Sequence, residues 1–426
     1  SGGVLSGAQV RWLFAAFALS GFSAMAYEVA WTRALSLVLG SSIYAFCIML
    51  ATFLGGIAWG SWLARRDLQT GPATLRTFIM LELGLGVYGL SSIILFTQLP
   101  EWFVTLWPLT QRSFTGFSVL QFGLCAAVML VPTIIMGFLF PVVSDLVTRR
   151  FSQLGRQLGT AYAVNTVGGI VGSFLTGFAL IPLLGLPSAI AIAAGINLLA
   201  ALMVYGRFGS ARMRLPRVAL AGAVLIGAGV LSVKAVIPFW QQQVFAMGVF
   251  LRPERFQGVS VQQAAEEHTL LYYKDSFNTT VSVHQGPESL YLKVGGKTDA
   301  SSGIDMGTQA LSAHIPMLLH DDPKRVLVIG LGSGVTLGHA GRYPATTLHC
   351  AELDPAVIEG ARYFKDYNYR IHDDPRATIF PADGRNFLLA SREQYDVLIS
   401  EPSNPWMAGL AYLFTQEFYQ LAKRRL

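Results

Sequence analysis

Long apolar stretches alternate with short polar connections through the first half of the chain. A bilayer core needs about 20 consecutive apolar residues per helix, and windows of that length occur seven times before residue 240. Glycine-rich runs within them, FLGGIAWGS and TVGGIVGSFLTG, allow helix backbones to pack closely in lipid. We therefore predict membrane spans at Trp12–Leu35, Ile43–Ala64, Thr77–Phe96, Phe117–Leu139, Ala161–Leu184, Ser188–Tyr205 and Val218–Ile237.

The pattern changes after residue 237, which predicts a transmembrane helical domain over residues 1–237 and three further regions. Residues 238–268 are aromatic and amphipathic, as expected of an interfacial linker, and a plain linker is the alternative. Short β-rich runs broken by Asp-Ser, Gly-Pro and Gly-Gly predict a small β-hairpin subdomain over 269–320. Residues 321–426 repeat a strand, turn, helix pattern, which predicts an α/β Rossmann-like domain.

Composition agrees with a chain that is partly membrane-embedded. Hydrophobic residues make up 53% and charged residues 13%, which is too apolar for a soluble protein of 426 residues. The first 237 residues carry 14 basic and 5 acidic side chains, whereas the remainder carries 17 and 20. The basic excess lies in short loops, where it reports membrane orientation, so we do not predict nucleic-acid binding. The partners that we predict are the lipid bilayer and small molecules, and a homo-oligomer is left open.

The positive charges also predict a topology. Ten of the 14 basic residues fall in three connections, and we expect these loops to be cytoplasmic. Seven spans would then place the last domain outside the cell. A re-entrant segment around PEWFVTLWPLT would reverse that placement; the loop charges favour seven spans. The polar residues within spans are candidates for transport, for a relay or for simple pairing: Glu28, Arg33, Glu82, Asn165 and Asn197.

Cysteine usage predicts neither a disulfide framework nor a metal site. The three cysteines are scattered along the chain, and Cys47 and Cys125 fall inside apolar segments. We therefore expect no metal cofactor.

A glycine turn follows the first strand of the Rossmann-like region. RVLVIGLGSG places Gly330, Gly332 and Gly334 directly after an apolar run, and the next strand ends at Glu352, 18 residues past Gly334. Glycines let a ligand approach the turn backbone, and an acid at the next strand tip can bind ribose hydroxyls. The third glycine of the dinucleotide fingerprint would fall at Val335, which favours an adenosyl sulfonium ligand over NAD.

Two further strands each deliver a carboxylate. ATIFPADGR predicts a strand followed by Asp383 and Gly384, and YDVLISEP predicts another that ends at Glu401. Carboxyl ends of neighbouring parallel strands meet at one crevice, so these acids should converge there. The alternative is that they only cap the helices that follow.

Taken together, these motifs resemble membrane-fused relatives of spermidine synthase, which are polytopic bacterial proteins of the inner membrane with an aminopropyltransferase-like domain. The resemblance rests on YEVAWTRALSLVLGSS, GGKTDAS, KRVLVIGLGSGVT, DGRNFLL and SEPSNPWMAGLAYLFTQEFY. It implies decarboxylated S-adenosylmethionine as co-substrate, with Glu352 at the ribose, Asp383 at the adenine and Glu401 in the catalytic position. It also implies a donor site that includes Ser333 and Gly384, and an amine site formed by Asp299, Thr308, Gln309, Ser403 and Asn404.

Three departures from the family pattern lie in the part of the site that should hold cations. Soluble spermidine synthases have Asp where this chain has Ser333 and where it has Asn404, and a Tyr-His-Glu stretch where it has residues 308–310. Each change removes an anion or hydrogen bond expected to hold a diamine or the aminopropyl ammonium. The identity of the amine acceptor therefore stays open.

The chemistry of alkyl transfer explains why a carboxylate is needed. An alkyl amine has a pKa of about 10 and is protonated at neutral pH, so a base must free its lone pair. We predict that Glu401 is that base. The alternatives are an S-adenosylmethionine-dependent methyltransferase, and a transporter or scaffold with a nucleoside-sensing domain. We also expect the protein to continue past Leu426, because this type of sheet usually has a further strand.

Overall fold

The computed structural model describes residues 5–110, 113–148, 154–208, 240–405, 407 and 410–426. The chain divides into two compact units. The first contains Ser1–Ser36 and Ala45–Gln241, and the second contains Leu37–Tyr44 and Gln242–Leu426.

Long apolar helices form the first unit. Their bounds are α1 Gly7–Leu39, α2 Ile43–Thr70, α3 Leu75–Leu106, α4 Phe114–Val147, α5 Leu154–Leu175, α6 Ile181–Leu184 and α7 Leu186–Phe208. A π-helical turn joins α5 to α6, so the described residues contain six helical segments long and apolar enough to cross a membrane. The first six predicted spans lie within these segments. The seventh, Val218–Ile237, lies outside the described residues.

Small residues allow the helices of this unit to approach closely. A Cβ built on Gly168 of α5 would lie 1.9 Å from the carbonyl oxygen of Ala18 in α1, so a larger residue would force the two helices apart. A buried hydrogen bond joins α3 to α7, because Asn197 Nδ2 donates to Glu82 Oε2 at 2.7 Å. Residues 100–110, the candidate re-entrant segment, form the end of α3 and a single 3-10 turn.

From Gln242 onward, the second unit first contains short helices and a four-stranded antiparallel sheet. The helices are α8 Gln242–Phe245 and α9 Val261–Glu266, and a 3-10 turn, Pro253–Phe256, lies between them. The strands pair in chain order and are β1 Thr269–Asp275, β2 Thr280–Gln285, β3 Leu290–Val294 and β4 Lys297–Ser301. Gly295 and Gly296 both have positive φ and form the tight turn that leads into β4.

A parallel sheet forms the rest of the second unit. Helices and strands alternate as α10 Met306–Leu319, β5 Arg325–Ile329, α11 Val335–Ala340, β6 Thr347–Glu352, α12 Pro355–Ala361, β7 Ala377–Pro381, α13 Gly384–Ala390, β8 Val397–Ser400 and α14 Gln416–Lys423. The strand order is β7-β6-β5-β8, and every pairing is parallel. This confirms the predicted Rossmann-like sheet after the apolar helices.

The packing of β5 shows why its sequence is continuously apolar. Val326 and Val328 pack into one hydrophobic core, whereas Leu327 and Ile329 pack into the core on the opposite face. The chain runs outward from β5 to β7 and then returns to place β8 on the other side of β5. Ligands of open α/β sheets bind at the carboxyl ends of the strands where the order reverses, which here is between β5 and β8.

Candidate active site

A cavity of about 320 Å³ lies at this edge of the parallel sheet. Most of the residues that the sequence singled out line it: Asp299, Gln309, Gly330, Gly332, Glu352, Asp383, Gly384, Glu401, Ser403 and Asn404. Ser333 and Gly334 are buried and are not among the lining residues. Thr308 is exposed on α10, and its carbonyl oxygen accepts a hydrogen bond from Ser312. The structure therefore does not bring Thr308 to the cavity.

The glycine turn has positive φ angles, a backbone conformation that glycine adopts readily. The φ angles of Gly330, Gly332 and Gly334 are +90°, +54° and +79°. A Cβ at Gly334 would also lie 3.0 Å from the Asn368 side chain, which leaves little room for a larger residue. The turn therefore presents bare backbone to the cavity, as close approach by a nucleoside requires.

Glu352 joins the tip of β6 to the glycine turn. Its Oε2 accepts a hydrogen bond from the Leu331 N–H at 2.8 Å, and its Oε1 accepts one from the Asp354 N–H at 3.0 Å. Burial raises the pKa of Glu352 to about 7, with Asp354 and Asp299 adding to the rise and the two backbone hydrogen bonds opposing it. Each carboxylate oxygen has a second lone pair, so Glu352 can hold the turn and still accept from a ligand hydroxyl.

Asp383 both caps a helix and lines the cavity. Its Oδ1 accepts a hydrogen bond from the Asn386 N–H at 2.7 Å, which caps the first turn of α13, and its Oδ2 accepts from the Tyr412 hydroxyl. The helix-capping interpretation therefore describes one of its roles. A Cβ at Gly384 would lie 2.4 Å from Ile329 Cγ2, so glycine allows α13 to pack on β5.

Glu401 directly follows β8 and faces the cavity. Its backbone N–H donates to the Ile329 carbonyl at 3.2 Å, and its Oε2 lies 2.8 Å from the Thr336 hydroxyl. Partial burial raises the pKa of Glu401; the hydrogen bond from Thr336 opposes this and the nearby charge of Asp305 adds to it. A carboxylate with a raised pKa at the crevice is a suitable proton acceptor.

Thr336 was not predicted from the sequence, although it connects two site residues. Its Oγ1 lies within hydrogen-bonding distance of Glu401 Oε2 and, at 3.0 Å, of the Gln309 carbonyl oxygen. A hydroxyl carries one hydrogen and can donate to one of these acceptors at a time. Thr336 lies on α11 immediately after the glycine turn, and its local sequence does not indicate that its hydroxyl belongs to the site.

A neutral pair occupies the position where the resemblance implied an aspartate. Ser333 Oγ donates to Gln309 Oε1 at 2.5 Å, and both side chains are buried. Gln309 Nε2 donates in turn to the Ser301 carbonyl at 2.9 Å and to Asp305 Oδ2 at 2.8 Å. The nearest anion to this pair is therefore Asp305, which Gln309 already engages.

Lys297 is a second residue that the sequence did not single out. Its ammonium forms an ion pair with Asp299 and donates to Ser403 Oγ at 2.8 Å, while Ser403 donates to Asp299 Oδ1 at 2.9 Å. We call these three residues the Lys297 network. Among the described residues that line the cavity, Lys297 is the one lysine or arginine. The GGKTDAS motif contains Lys297, but the contact with Ser403 spans 106 residues and leaves no local signal.

Comparison with known families and proteins agrees with this geometry. A family described as "Spermine/spermidine synthase domain" matches residues 306–426. A polyamine aminopropyltransferase of Corynebacterium efficiens is 27% identical over 98% of this chain and 75% of its own length. Polyamine aminopropyltransferase 1 of Streptomyces coelicolor is 25% identical over 99% of this chain and 74% of its own length.

Shorter relatives match a smaller share of this chain. A polyamine aminopropyltransferase of Thermotoga neapolitana is 31% identical over 39% of this chain, which spans 57% of that relative's length. Among solved structures, a spermidine synthase in complex with the transition-state analogue AdoDATO is 31% identical, with a TM-score of 0.34 over 37% of this chain and 54% of that one. Residues 306–426 thus match a spermine/spermidine synthase domain, and nearly the whole chain is similar to proteins named polyamine aminopropyltransferase.

Proposed function

We propose that this protein is a membrane-bound transferase that moves an aminopropyl group from decarboxylated S-adenosylmethionine to a small amine. The observation that carries the proposal is the position of Glu401. Its carboxylate lies where the strand order reverses, in one cavity with the glycine turn and Glu352. The names of the relatives support the same reaction.

The nucleoside would bind at the β5–β6–β7 end of the cavity, which we call the nucleoside end. The bare backbone of Gly330 and Gly332 would face the ligand, and Glu352 would accept from the ribose hydroxyls. Asp383 and its partner Tyr412 would lie at the adenine, where the apolar side chain of Leu413 also lines the cavity. The carboxylates here favour a cationic sulfonium over an anionic dinucleotide.

Transfer then requires a neutral amine beside the sulfonium. Glu401 takes a proton from the acceptor ammonium, and the freed nitrogen lone pair attacks the aminopropyl carbon bonded to sulfur. A C–N bond forms as the C–S bond breaks, and its electron pair stays on sulfur to give the neutral thioether 5′-methylthioadenosine. The proton on Glu401 is later returned to solvent.

Thr336 would stabilise both protonation states of Glu401. When Glu401 is ionised, the Thr336 hydroxyl can donate to its Oε2. When Glu401 is protonated, it can donate to Thr336 while Thr336 donates to the Gln309 carbonyl. The base therefore keeps a hydrogen-bond partner before and after proton transfer, which lowers the cost of moving the proton.

The first unit would hold the enzyme in a membrane, and we propose the bacterial inner membrane as its location. The six apolar segments support multi-pass insertion. We also propose that residues 1–237, 238–268, 269–320 and 321–426 act as membrane domain, linker, β subdomain and catalytic domain.

One observation favours a second candidate, S-adenosylmethionine-dependent methyl transfer. The buried Ser333–Gln309 pair is neutral, so it lacks the anion that would select the ammonium of the decarboxylated donor. The same cavity and base would serve a methyl transfer to an amine.

The two candidates yield different products. Purified full-length protein would be incubated with each sulfonium donor and a panel of amines, and the thioether would be identified by mass spectrometry. We expect 5′-methylthioadenosine from the decarboxylated donor, whereas S-adenosylhomocysteine from S-adenosylmethionine would establish the methyltransferase instead. If neither thioether forms with any of the amines, both candidate functions are refuted. Glu401→Gln provides the background rate.

A further inference from the structure

The Lys297 network lines the same cavity beside the loop that carries Glu401, and we call this part the amine end. The ammonium of Lys297, the carboxylate of Asp299 and the hydroxyl of Ser403 are all partly buried and contact one another. Lys297 and Asp299 are both on β4, whereas Ser403 lies in the loop after β8. The network therefore has a defined place between two elements.

This network is close to the proposed base. Ser403 follows Glu401 by two residues, and two residues of extended chain span about 7 Å at most. A short diamine whose first nitrogen lies at Glu401 can extend its second nitrogen over a comparable distance. The Asp299 carboxylate is the anion that such a second ammonium would meet on the Ser403 side of the cavity.

We propose that Lys297 is a specificity-determining residue, whose ammonium occupies the subsite that a diamine's second ammonium would otherwise take. Asp299 is already neutralised by an internal cation, and an incoming second ammonium would face Lys297 as a like charge. The acceptor class that fits is a primary amine with a single ammonium. This inference rests on the proposed function, because it concerns the acceptor of the same reaction.

A purely structural role would predict a different outcome. If Lys297 only tethers the loop after β8 to β4, its removal would loosen the loop and weaken all acceptors alike. If it excludes diamines, removal would expose Asp299 and strengthen diamine binding selectively. Lys297→Met separates these outcomes, because methionine keeps an apolar stem of similar length and removes the charge.

The test measures binding, so that it does not depend on turnover. Full-length protein saturated with 5′-methylthioadenosine would be titrated with 1-aminobutane and with 1,4-diaminobutane in a calorimeter. We expect the wild-type protein to bind the monoamine at least as tightly as the diamine. Lys297→Met should bind the diamine about tenfold more tightly or better, with a change of less than about threefold for the monoamine.

Two further variants complete the experiment. Asp299→Asn in the Lys297→Met background should abolish the gain, because the newly available anion is removed. Lys324→Met removes an exposed ion pair with Asp322 outside the cavity and should change neither affinity. Equal diamine affinity in the wild type and Lys297→Met would overturn the proposal, and so would a parallel weakening of the binding of both amines. If Lys297→Met no longer binds 5′-methylthioadenosine, Lys297→Gln is used in its place. Failure of the proposed function would appear separately, as absent turnover by the wild type.

Discussion

The nucleoside end and the amine end of the cavity are held together in different ways. At the nucleoside end, Glu352 bonds to backbone N–H groups at 2.8 and 3.0 Å, and Asp383 caps the helix that follows it. At the amine end, Lys297, Asp299 and Ser403 bond to one another through side chains from distant parts of the chain. Backbone-held groups tolerate change in their neighbours, whereas a side-chain network can be altered one residue at a time. Acceptor choice should therefore vary more readily than donor choice.

Removal of the base should have the largest effect, and it should lower the rate of the chemical step without weakening nucleoside binding. Glu401→Gln keeps the size of the side chain but removes the proton acceptor, so turnover should fall by roughly 10²- to 10⁴-fold. Single-turnover rates would measure the fall, and calorimetry should find nucleoside affinity nearly unchanged. Near-normal turnover in a stably folded variant would end the assignment of Glu401 as the base.

The corresponding change at the nucleoside end should act on binding. Glu352→Gln removes a charged acceptor for ribose hydroxyls, a loss of about 1.5 to 3 kcal/mol, so nucleoside affinity should fall roughly 10- to 100-fold. Titration with 5′-methylthioadenosine would measure it. Glu359→Gln on α12 is the matched control, because Glu359 is exposed and bonds to Tyr272 outside the cavity. Equal affinities for the two variants would remove Glu352 from the nucleoside site.

The two ends also differ in how far the sequence could predict them. Gly330, Glu352 and Asp383 follow directly from strand ends and turn glycines, because strand register fixes their positions. Thr336 and Lys297 were missed, since their roles depend on contacts with Glu401 and Ser403, which lie 65 and 106 residues away. Thr308 was placed in the site by resemblance, but its position on α10 turns it away from the cavity.

Loss of the Thr336 hydroxyl should produce a smaller effect that is visible in the pH profile. Thr336→Val removes the hydrogen bond that lowers the pKa of Glu401, so the pKa should rise further. The acid limb of kcat/KM should then move to higher pH, and the loss of activity should be largest along that limb. Thr336→Ser should restore the wild-type limb. An unshifted limb in Thr336→Val would show that Thr336 does not act through Glu401.

The smallest expected effect is a pH dependence of nucleoside affinity that follows from the titration of Glu352. Burial raises the pKa of Glu352 to about 7, so this carboxyl is mostly protonated at pH 6 and mostly ionised at pH 8. The ionised form is the better acceptor for ribose hydroxyls. Nucleoside affinity should therefore increase as the pH rises, by up to about tenfold per pH unit below pH 7.

Calorimetric titration of 5′-methylthioadenosine from pH 6 to pH 8 would measure this slope. The thioether carries no charge on sulfur, so the slope reports the protein and not the ligand. Glu401→Gln should keep the slope, because Glu401 faces the acceptor, whereas Glu352→Gln should abolish it. A slope that survives in Glu352→Gln would assign the titration to another group and would weaken the distinction between the two ends of the cavity.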